Sequence, residues 1–365
     1  MRSLTTFLFV SLVLAVGCPR RAKAEDRPAT LTVLVGGDVM VGRYKRDKLR
    51  LHGGPDPFEE IGPLLEQADV TLLNLETPIA DHHPRRIRLH GKKNRSQVIF
   101  RMPTNLAPLL ARYGVDALSL ANNHAEDADG EGVQTTVATL QQVGVEYAGA
   151  HPTEDPMPPR RFQRKGHWVS LMAVTTVRNR GEPRKNQAIP VAYRSFRAVS
   201  RDFPGLVKAQ RKAYPNDLIV VSIHWGAEGS TKEVAGQRRV ARRIIEAGAD
   251  LVWGHHPHVL QGVEAHGDGM ILYSTGNCVF DMRDPVARRS GLFEVTFVEK
   301  PEGGYRAQRL VVHPLMLRGR KVGPRLATNE EAAEVLKPLM GRAARRSGMT
   351  FERDGARLVW ERCEE

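Results

Sequence analysis

The sequence predicts a layered α/β domain, and three observations support this prediction. Short apolar runs that are typical of buried strands alternate with segments that suit helices along most of the 365 residues, as expected for sheets covered by helices. Hydrophobic residues make up 41% of the chain, which is enough for a sizeable core and argues against global disorder. Several of the apolar runs end in glycine and polar residues, as buried strands do where they meet a loop.

The first half of the chain predicts strands and helices in turn. Residues Thr30–Gly36 form an apolar run that stops at Gly-Gly-Asp, which indicates a buried strand followed by a loop. Residues 77–103 are polar, basic and irregular and are predicted as one long loop, which in a compact domain is usually functional or mobile. The other predicted strands are Val70–Leu75, Asp116–Leu120 and Val145–Gly149, and the predicted helices are Asp56–Gln67, Thr104–Tyr113 and Gly132–Val143.

The second half continues the alternation as far as about residue 315. The predicted strands are His167–Val174, Leu218–Ile223, Leu251–Trp253, Met270–Ser274, Gly291–Val298 and Tyr305–Val312, with a helix at Glu233–Ala247. The Pro-rich and Arg-rich segments 152–165 and 178–216 are assigned no element. One domain is therefore expected at residues 28–315, followed by a C-terminal extension at residues 316–365 with one helix, Glu330–Arg345.

Residues 1–24 have the form of an export signal. Arg2 precedes an apolar run, Phe7–Gly17, that is shorter than a membrane-spanning helix of roughly 20 residues and suits the core of a signal peptide. Two endings remain open. Ala22–Ala24 is a cleavage site of the A-x-A type, whereas Ala15–Cys18 is similar to a lipobox that would make Cys18 a lipid anchor. Either ending predicts an exported protein of the cell envelope or periplasm.

The formal net charge is +13, and a basic protein attracts polyanions non-specifically. Nucleic acid, anionic lipid, teichoic-type polymers and polyglutamate all fit such a charge, as does a generally Arg-rich proteome. The export signal places the protein away from nucleic acid. Beyond that signal only Cys278 and Cys363 remain, which are too few for a disulfide framework and lack the C-x-x-C spacing of a zinc-thiolate site. Cys278 is expected to pack as a small apolar residue.

Polar clusters follow five of the predicted strands. They are Gly36–Met40, Asn74–Glu76, Ala121–His124, His224–Gly226 and Gly254–His258. Alone, each cluster also fits a structural role, because Gly-Asp is common in turns, Asn caps helices and a single His can be a hydrogen-bonded core residue. Together they supply carboxylate, amide and imidazole groups, the ligand set for Mn, Fe or Zn. Ligands bind beyond the carboxyl ends of strands in α/β sheets, so the combination predicts a divalent-metal site there.

The chain resembles the poly-γ-glutamate capsule synthesis (CapA) family in six successive motifs over about residues 31–285. These motifs are GGDVMVGR, NLETPIA, LANNHAEDADGEGV, SIHWGAE, GADLVWGHHPHVLQGVE and YSTGNCVFD. That family is similar to calcineurin-like metallophosphoesterases, so the resemblance implies a metallophosphoesterase-like four-layer αββα sandwich. It also implies a part in capsule or poly-γ-glutamate production at the cell surface, together with capsule-synthesis membrane proteins.

Carried over position by position, the resemblance implies a bound Mn, Zn or Fe ion with six protein ligands. The ligands are Asp38, Glu76, Asn123, His224, His256 and His258. Glu76 stands where phosphoesterases place a bridging Asp, and His124 matches the His that acts on the leaving group, so His124 and Asp38 are the implied catalytic residues. His255 would take a supporting position. Met40 occupies the place of a further His ligand, so one ion is expected and a second stays open.

Substrate binding is predicted for five further residues. They are Arg43, Asn122, Asn277, Arg85 and Arg86. Arg43 follows Asp38 closely and can pair bidentately with a carboxylate or phosphate, although a surface salt bridge fits as well. Arg85 and Arg86 belong to a basic loop that can hold an anionic polymer, although charge runs are more often simply solvated.

Two functions follow from these features. The first is a metal-dependent hydrolase or transferase that acts on phosphoesters or γ-glutamyl amide bonds. The second is a non-catalytic accessory protein, associated with the membrane through its signal or lipid anchor. Such a protein would bind and guide an anionic surface polymer such as poly-γ-glutamate during export.

Overall fold

The computed structural model describes residues 29–42, 56–82, 100–151, 158–179, 191–318 and 323–363. Within these ranges the chain is a mixed α/β protein with two β-sheets and seven α-helices. The export signal with Cys18, and the predicted substrate-binding residues Arg43, Arg85 and Arg86, lie outside the described residues. None of the helices in these ranges combines the length and the apolar character needed to cross a membrane.

The first sheet has ten strands and joins a parallel half to an antiparallel half. The parallel half runs in the order β1 (Thr30–Val39), β2 (Val70–Leu75), β3 (Ala117–Ser119) and β4 (Glu146–Ala148). On the other side of β1 the order is β12 (Arg289–Glu299), β13 (Tyr305–Leu317), β16 (Arg357–Glu361) and β15 (Glu352–Asp354), all antiparallel. Two short strands complete this sheet, since β11 (Asn277–Val279) pairs with β1 and β14 (Pro324–Leu326) pairs with β13.

The second sheet has six strands. Its order is β5 (Arg160–Arg164), β6 (His167–Thr175), β7 (Leu218–His224), β8 (Leu251–His255), β10 (Gly269–Leu272) and β9 (Val263–His266). The four central strands are parallel, and β5 and β9 are antiparallel edge strands. The central strands are almost wholly apolar because both of their faces are buried.

Seven α-helices accompany the sheets. They are α1 (Gly62–Gln67), α2 (Pro108–Arg112), α3 (Asp129–Val143), α4 (Phe196–Ala213), α5 (Ala235–Glu246), α6 (Asn329–Leu336) and α7 (Arg342–Arg346). Alternate residues of a strand face opposite ways, and the core follows this rule. Val33 and Val35 of β1 share a buried cluster with Trp253 of the second sheet, whereas Leu34 between them clusters with residues of α1, α2 and α3. A third cluster joins the second sheet to α4 and α5, for example through Ile219 and Val240.

The predicted alternation of strands and helices is confirmed, but one long helix was not predicted. Residues 178–216, for which the sequence indicates no element, contain α4. Ser195 caps this helix by accepting a hydrogen bond from the Ala198 amide at 3.2 Å, and Val199, Phe203 and Val207 form its buried face. The many arginines and Pro204 within the helix hide this four-residue spacing in the sequence. The other predicted Pro-rich segment, 152–165, contains β5.

The C-terminal part also differs from the prediction. The single helix expected at Glu330–Arg345 is wrong in extent, because α6 ends at Leu336 and α7 begins at Arg342. Pro338 lies in the gap, and proline has no backbone N–H to continue the hydrogen bonding of a helix. The same part of the chain contributes β14, β15 and β16, which extend the first sheet through pairing with β13.

The end of β1 is shaped by two glycines. The pairing of β1 with β2 is irregular between Val35 and Asp38, which is where Gly36 and Gly37 lie. A Cβ atom at Gly37 would lie 2.1 Å from the carbonyl oxygen of Gly276, so only glycine lets these two backbones approach. This close approach places Asp38 opposite residues of both β2 and β11.

Candidate metal centre

The six predicted ligands lie together where strands of both sheets end. Asp38 lies near the end of β1, Glu76 directly follows β2, and Asn123 comes after β3 in the chain. His224 is the last residue of β7, and two histidines follow β8. All six side chains belong to residues that are at most 8% exposed. The fold therefore gathers acidic, amide and imidazole groups in a place with little access to water.

Two overlapping groups of side chains can hold a metal ion. One consists of Glu76, His224 and His256, and the other of Asp38, Glu76 and His258. Within each group the potential ligand atoms lie within 4.8 Å of one another. Glu76 is common to both groups, so its carboxylate lies between them. Asn123 adds an amide oxygen to the first group, because its Oδ1 lies 2.7 Å from His224 Nε2.

Several buried polar atoms of these groups have no hydrogen-bond partner among the described residues. They include both carboxylate oxygens of Glu76, and Nδ1 of His224 and His256. The contacts of the Glu76 carboxylate with imidazole nitrogens are long, at 3.5 Å to His224 Nε2 and 3.7 Å to His258 Nδ1. A buried carboxylate without a partner is destabilising by several kcal/mol. The donor set and its missing partners therefore fit a bound cation.

The electrostatics favour neutral imidazoles beside two acids. Burial, and then the neighbouring histidines, lower the pKa of His224 well below its usual value. Burial likewise lowers the pKa of His255 and His256 to about 4. Burial also raises the pKa of Glu76 well above its usual value, and the charge of Asp38 raises it further. Metals bind neutral imidazole and ionised carboxylate, so the histidines are ready to bind whereas Glu76 needs a cation to stay ionised.

Asp38 and His258 behave as a pair. Burial alone would raise the pKa of Asp38, but contacts with His258 and a hydrogen bond from Asn74 Nδ2 at 2.7 Å outweigh it, and the pKa is lowered. Burial works against a charge on His258 too, yet its contact with Asp38, 3.1 Å from Nδ1 to Oδ2, raises its pKa. The contact between Asp38 and His258 therefore favours the ionised form of each partner.

Two predicted substrate-binding asparagines have their amides engaged within the protein. Asn277 Oδ1 lies 3.0 Å from His258 Nδ1, and Asn277 Nδ2 donates to the His258 carbonyl at 2.9 Å. Asn122 Nδ2 donates to the Leu75 carbonyl at 2.8 Å, and its Oδ1 accepts from the His124 amide at 3.1 Å. In this structure both residues fix the backbone and side chains around the centre.

His124 lies in a hydrogen-bonded chain beside the two groups. Its Nδ1 lies 2.7 Å from Asp127 Oδ2, and its Nε2 accepts from Asn179 Nδ2 at 3.2 Å. Asn179 Oδ1 in turn accepts from Asn123 Nδ2 at 3.1 Å. Sequence reasoning did not identify Asp127 or Asn179. The His-x-x-Asp spacing can indicate Asp127, whereas nothing in the Arg-rich segment around Asn179 marks it.

The loop after β8 is strained where it presents its histidines. His256 and His258 have positive φ angles of 95° and 58°, which are uncommon for residues other than glycine. Such strain persists where surrounding structure imposes it, often at functional sites. His255, the last residue of β8, is fully buried, with its ring centre 4.3 Å from that of Trp253 and Nδ1 3.7 Å from Asp38 Oδ1.

Comparison with known proteins identifies the family. A family model described as bacterial capsule synthesis protein PGA_cap matches residues 32–282. The chain belongs to this family. The resemblance to the CapA family expected from the sequence is thereby confirmed, and all six predicted ligands lie within the part of the chain that the PGA_cap model matches.

Three relatives of this PGA_cap family member illustrate the similarity. A Bacillus anthracis protein named capsule biosynthesis protein CapA is 28% identical over 275 residues, which cover 70% of this chain and 61% of that protein. The Bacillus subtilis (strain 168) PGA biosynthesis protein CapA is 27% identical over 285 residues, covering 76% and 70%. A Mycobacterium tuberculosis protein named probable polyglutamine synthesis accessory protein is 30% identical over 306 residues, covering 70% and 75%. The chain thus spans less than two thirds of the length of the first of these relatives.

Proposed function

We propose that this PGA_cap family member is a divalent-metal-dependent hydrolase or transferase in capsule or poly-γ-glutamate synthesis at the cell envelope. The observation that carries the proposal is the buried Glu76 carboxylate, which has no hydrogen-bond partner among the described residues and lies among the imidazoles of His224, His256 and His258. The names of the two Bacillus relatives support an acidic surface polymer, or its precursor, as the substrate class.

We also propose that the two sheets and their helices form a four-layer αββα sandwich of the metallophosphoesterase type. The three buried clusters support this arrangement. One contains residues of both sheets, and each of the others joins one sheet to its own helices. In such a fold the ends of β1, β2, β7 and β8 border a common site.

Glu76, His224, His256 and Asn123 would hold one ion. A second ion would be held by Asp38, His258 and the shared Glu76. Because Met40 stands where phosphoesterases have a further His ligand, this second ion would have fewer ligands. The donors suit Mn, Zn or Fe. A bound ion would polarise a phosphoryl or amide carbonyl group and lower the pKa of a bound water.

The proton transfer would belong to His124. Asp127 accepts at Nδ1 and holds the ring, which leaves Nε2 as the atom that exchanges a proton with the leaving group. In the present structure Asn179 Nδ2 occupies the hydrogen-bonding position at Nε2, so a substrate would replace that contact. A positioned His of this kind typically contributes about 10²–10⁴-fold to the rate.

The test combines metal analysis with turnover. Purified protein loaded with Mn²⁺ or Zn²⁺ is assayed for metal content and for cleavage of poly-γ-glutamate and of a generic phosphoester. His124→Gln should retain the metal and lose at least about 10²-fold in rate. His266→Gln is the matched control, because His266 pairs with Glu246 and lies outside both metal-holding groups. A metal-loaded wild-type protein that turns over neither substrate would contradict the proposal.

The second candidate function is a non-catalytic accessory protein that binds and guides the polymer during export. The word "accessory" in the name of the Mycobacterium tuberculosis relative favours it. A His124→Ala variant distinguishes the two functions. If capsule output survives that change but fails on charge reversal at Arg85 and Arg86, the protein guides the polymer and does not cleave it.

Export and anchoring are part of the proposal. The protein would lie in the cell envelope or periplasm, with capsule-synthesis membrane proteins as partners. Mass spectrometry of the mature N-terminus tests this, since a lipid on Cys18 and a start after Ala24 have different masses. A protein that retains Met1 and fractionates with the cytosol would contradict it.

A further inference from the structure

A cavity of about 700 Å³ is lined in part by the segment that directly follows His258 of the metal centre. Val259 and Leu260, which follow His258, form part of its lining. The segment before α5 and the helices α6 and α7 line other parts. The volume is within the range of about 300–1,000 Å³ that is usual for ligand sites. We call this cavity the basic groove.

The charges that line the basic groove are mostly positive. Its acidic residues are Glu233 and Glu334, and its basic residues are Lys232, Arg238, Arg289, Lys337, Arg345 and Arg346. Each acid already pairs with a groove arginine, Glu233 with Arg238 at 3.0 Å and Glu334 with Arg289 at 3.4 Å. The other four cations have no acidic partner within 4.0 Å in the described parts of the chain, so the groove has a surplus of unneutralised positive charge.

The wall that carries most of these cations is firmly attached to the core. Val335 and Leu336 of α6 and Ala344 of α7 are buried in the cluster that contains residues of both sheets. Gly262 permits the close approach of α7, since a Cβ there would lie 3.1 Å from that of Ala343. Both helices lie beyond residue 282, where the PGA_cap family match ends. The groove is therefore a fixed feature that this chain builds with residues outside the family match.

We propose that the basic groove binds a segment of the acidic surface polymer, as a run of carboxylates held beside the metal centre. This inference rests on the proposed function for the identity of the polymer. Unpaired Lys and Arg attract carboxylates at a spacing that a flexible polyacid can match. The exposed side chain of Val286 offers apolar surface to the methylene groups between the carboxylates. The groove would thus hold the polymer while a neighbouring bond lies at the centre.

The experiment measures binding of fluorescently labelled poly-γ-glutamate by anisotropy at low ionic strength with EDTA present. In Lys337→Glu/Arg346→Glu, two groove cations without acidic partners are reversed, and we expect the dissociation constant to rise about 10-fold or more. The matched control is Lys208→Glu/Lys212→Glu, which changes the net charge equally at exposed positions of α4 away from the groove. It should change the dissociation constant by less than about 3-fold. Thermal melts of both variants verify that they fold.

Four outcomes would count against the inference. The first is that the control double variant loses as much affinity as the groove variant, the second that the groove variant binds like wild type, and the third that wild type does not bind the polymer. Short-chain polyphosphate serves as a competitor of equal charge, and its displacing the polymer at far lower concentration would overturn the preference for carboxylates. Failure of the proposed function would instead show as absent metal or turnover, so the two failures are distinguishable.

Discussion

Glu76→Gln should have opposite effects on stability with and without metal. Glu76 is fully buried, and neither of its carboxylate oxygens has a hydrogen-bond partner in the described chain. Glutamine keeps nearly the same shape and removes the negative charge. In metal-free protein the substitution therefore removes the free-energy cost of a buried carboxyl group that must be either ionised without a partner or protonated above its usual pKa. In metal-loaded protein it removes a ligand shared by both metal-holding groups.

The magnitudes follow from the burial and from mass action. An unsatisfied buried polar group is destabilising by about 1–3 kcal/mol, and more when it is charged, so the metal-free variant should be more stable than wild type by about that amount. A metal at 100 times its dissociation constant adds about 2.7 kcal/mol to wild type. The variant should lose most of that gain, which reverses the order of the two proteins.

The pH dependence of the free energy of unfolding provides a second test of Glu76. The pKa of Glu76 in the folded chain is raised above 4.5, first by burial and then by Asp38. Between 4.5 and the raised pKa, the folded protein binds a proton at Glu76 that the unfolded chain releases, so the contribution of Glu76 to the stability of metal-free wild type falls as pH rises above about 4.5. His224, His255 and His256, whose pKa values are lowered, contribute the opposite trend equally in wild type and variant. Metal-free Glu76→Gln should lack this fall.

Urea unfolding with EDTA and with excess Mn²⁺ or Zn²⁺, at several pH values, measures these differences. Glu59→Gln is the control, because Glu59 is exposed and has no charged partner in the described part of the chain; it should change neither midpoint. A metal-free Glu76→Gln protein that is less stable than wild type, or a metal-induced gain equal to that of wild type, would refute the role of Glu76 as a ligand kept ionised by a cation.

Three further predictions concern the backbone and the thiols. Gly37→Ala should destabilise the protein by about 1–3 kcal/mol, since its Cβ would lie 2.1 Å from a backbone oxygen. Gly205→Ala, in open space within α4, should instead stabilise the protein by about 0.5–1 kcal/mol. Equal urea midpoints for the two variants would contradict this prediction. His256→Gly should be more stable than His256→Ala by about 1 kcal/mol without metal, because glycine relieves the φ of 95°, and the opposite order would argue against strain. Burial raises the pKa of the Cys278 thiol from 9.0 to about 12. Peptide mass spectrometry after thiol labelling at pH 8 should therefore find Cys363 modified in the folded protein and Cys278 modified only after unfolding. Rapid labelling of Cys278 in the folded protein would count against its burial.

The sequence predicted the centre well because its residues follow a physical rule. Buried parallel strands are nearly continuous apolar runs, so their ends are visible as the first glycine or polar residue. Such strand ends are the positions of Asp38, Glu76 and His224. Neighbouring parallel strands end at the same edge of their sheet, which brings these side chains together. Residues that reach the centre from outside this pattern were missed, and Asn179 is the clearest case.

Pairing between distant segments was harder to predict. β15 and β16 lie in a segment with many charges, and β15 is wholly exposed, so neither has the apolar signal of a central strand. Their place in the first sheet depends on β13, some 50 residues earlier, and local sequence carries no record of that partner. The same holds for the basic groove, since its cations come from four separate segments and become a site only after folding.

Met40 shows how a lost ligand can become a packing residue. In the sequence, Met40 supplies a thioether at a position where the resemblance implies a metal-binding imidazole. In the structure Met40 is buried in an apolar cluster with Phe100, Phe280 and Leu317. The ring of Phe100 lies 4.0 Å from that of His124, and the ring of Phe280 lies 4.9 Å from that of His258. Met40 therefore supports the apolar wall against which the imidazoles of His124 and His258 pack, and without a bound ion a His there would place a polar ring in that wall.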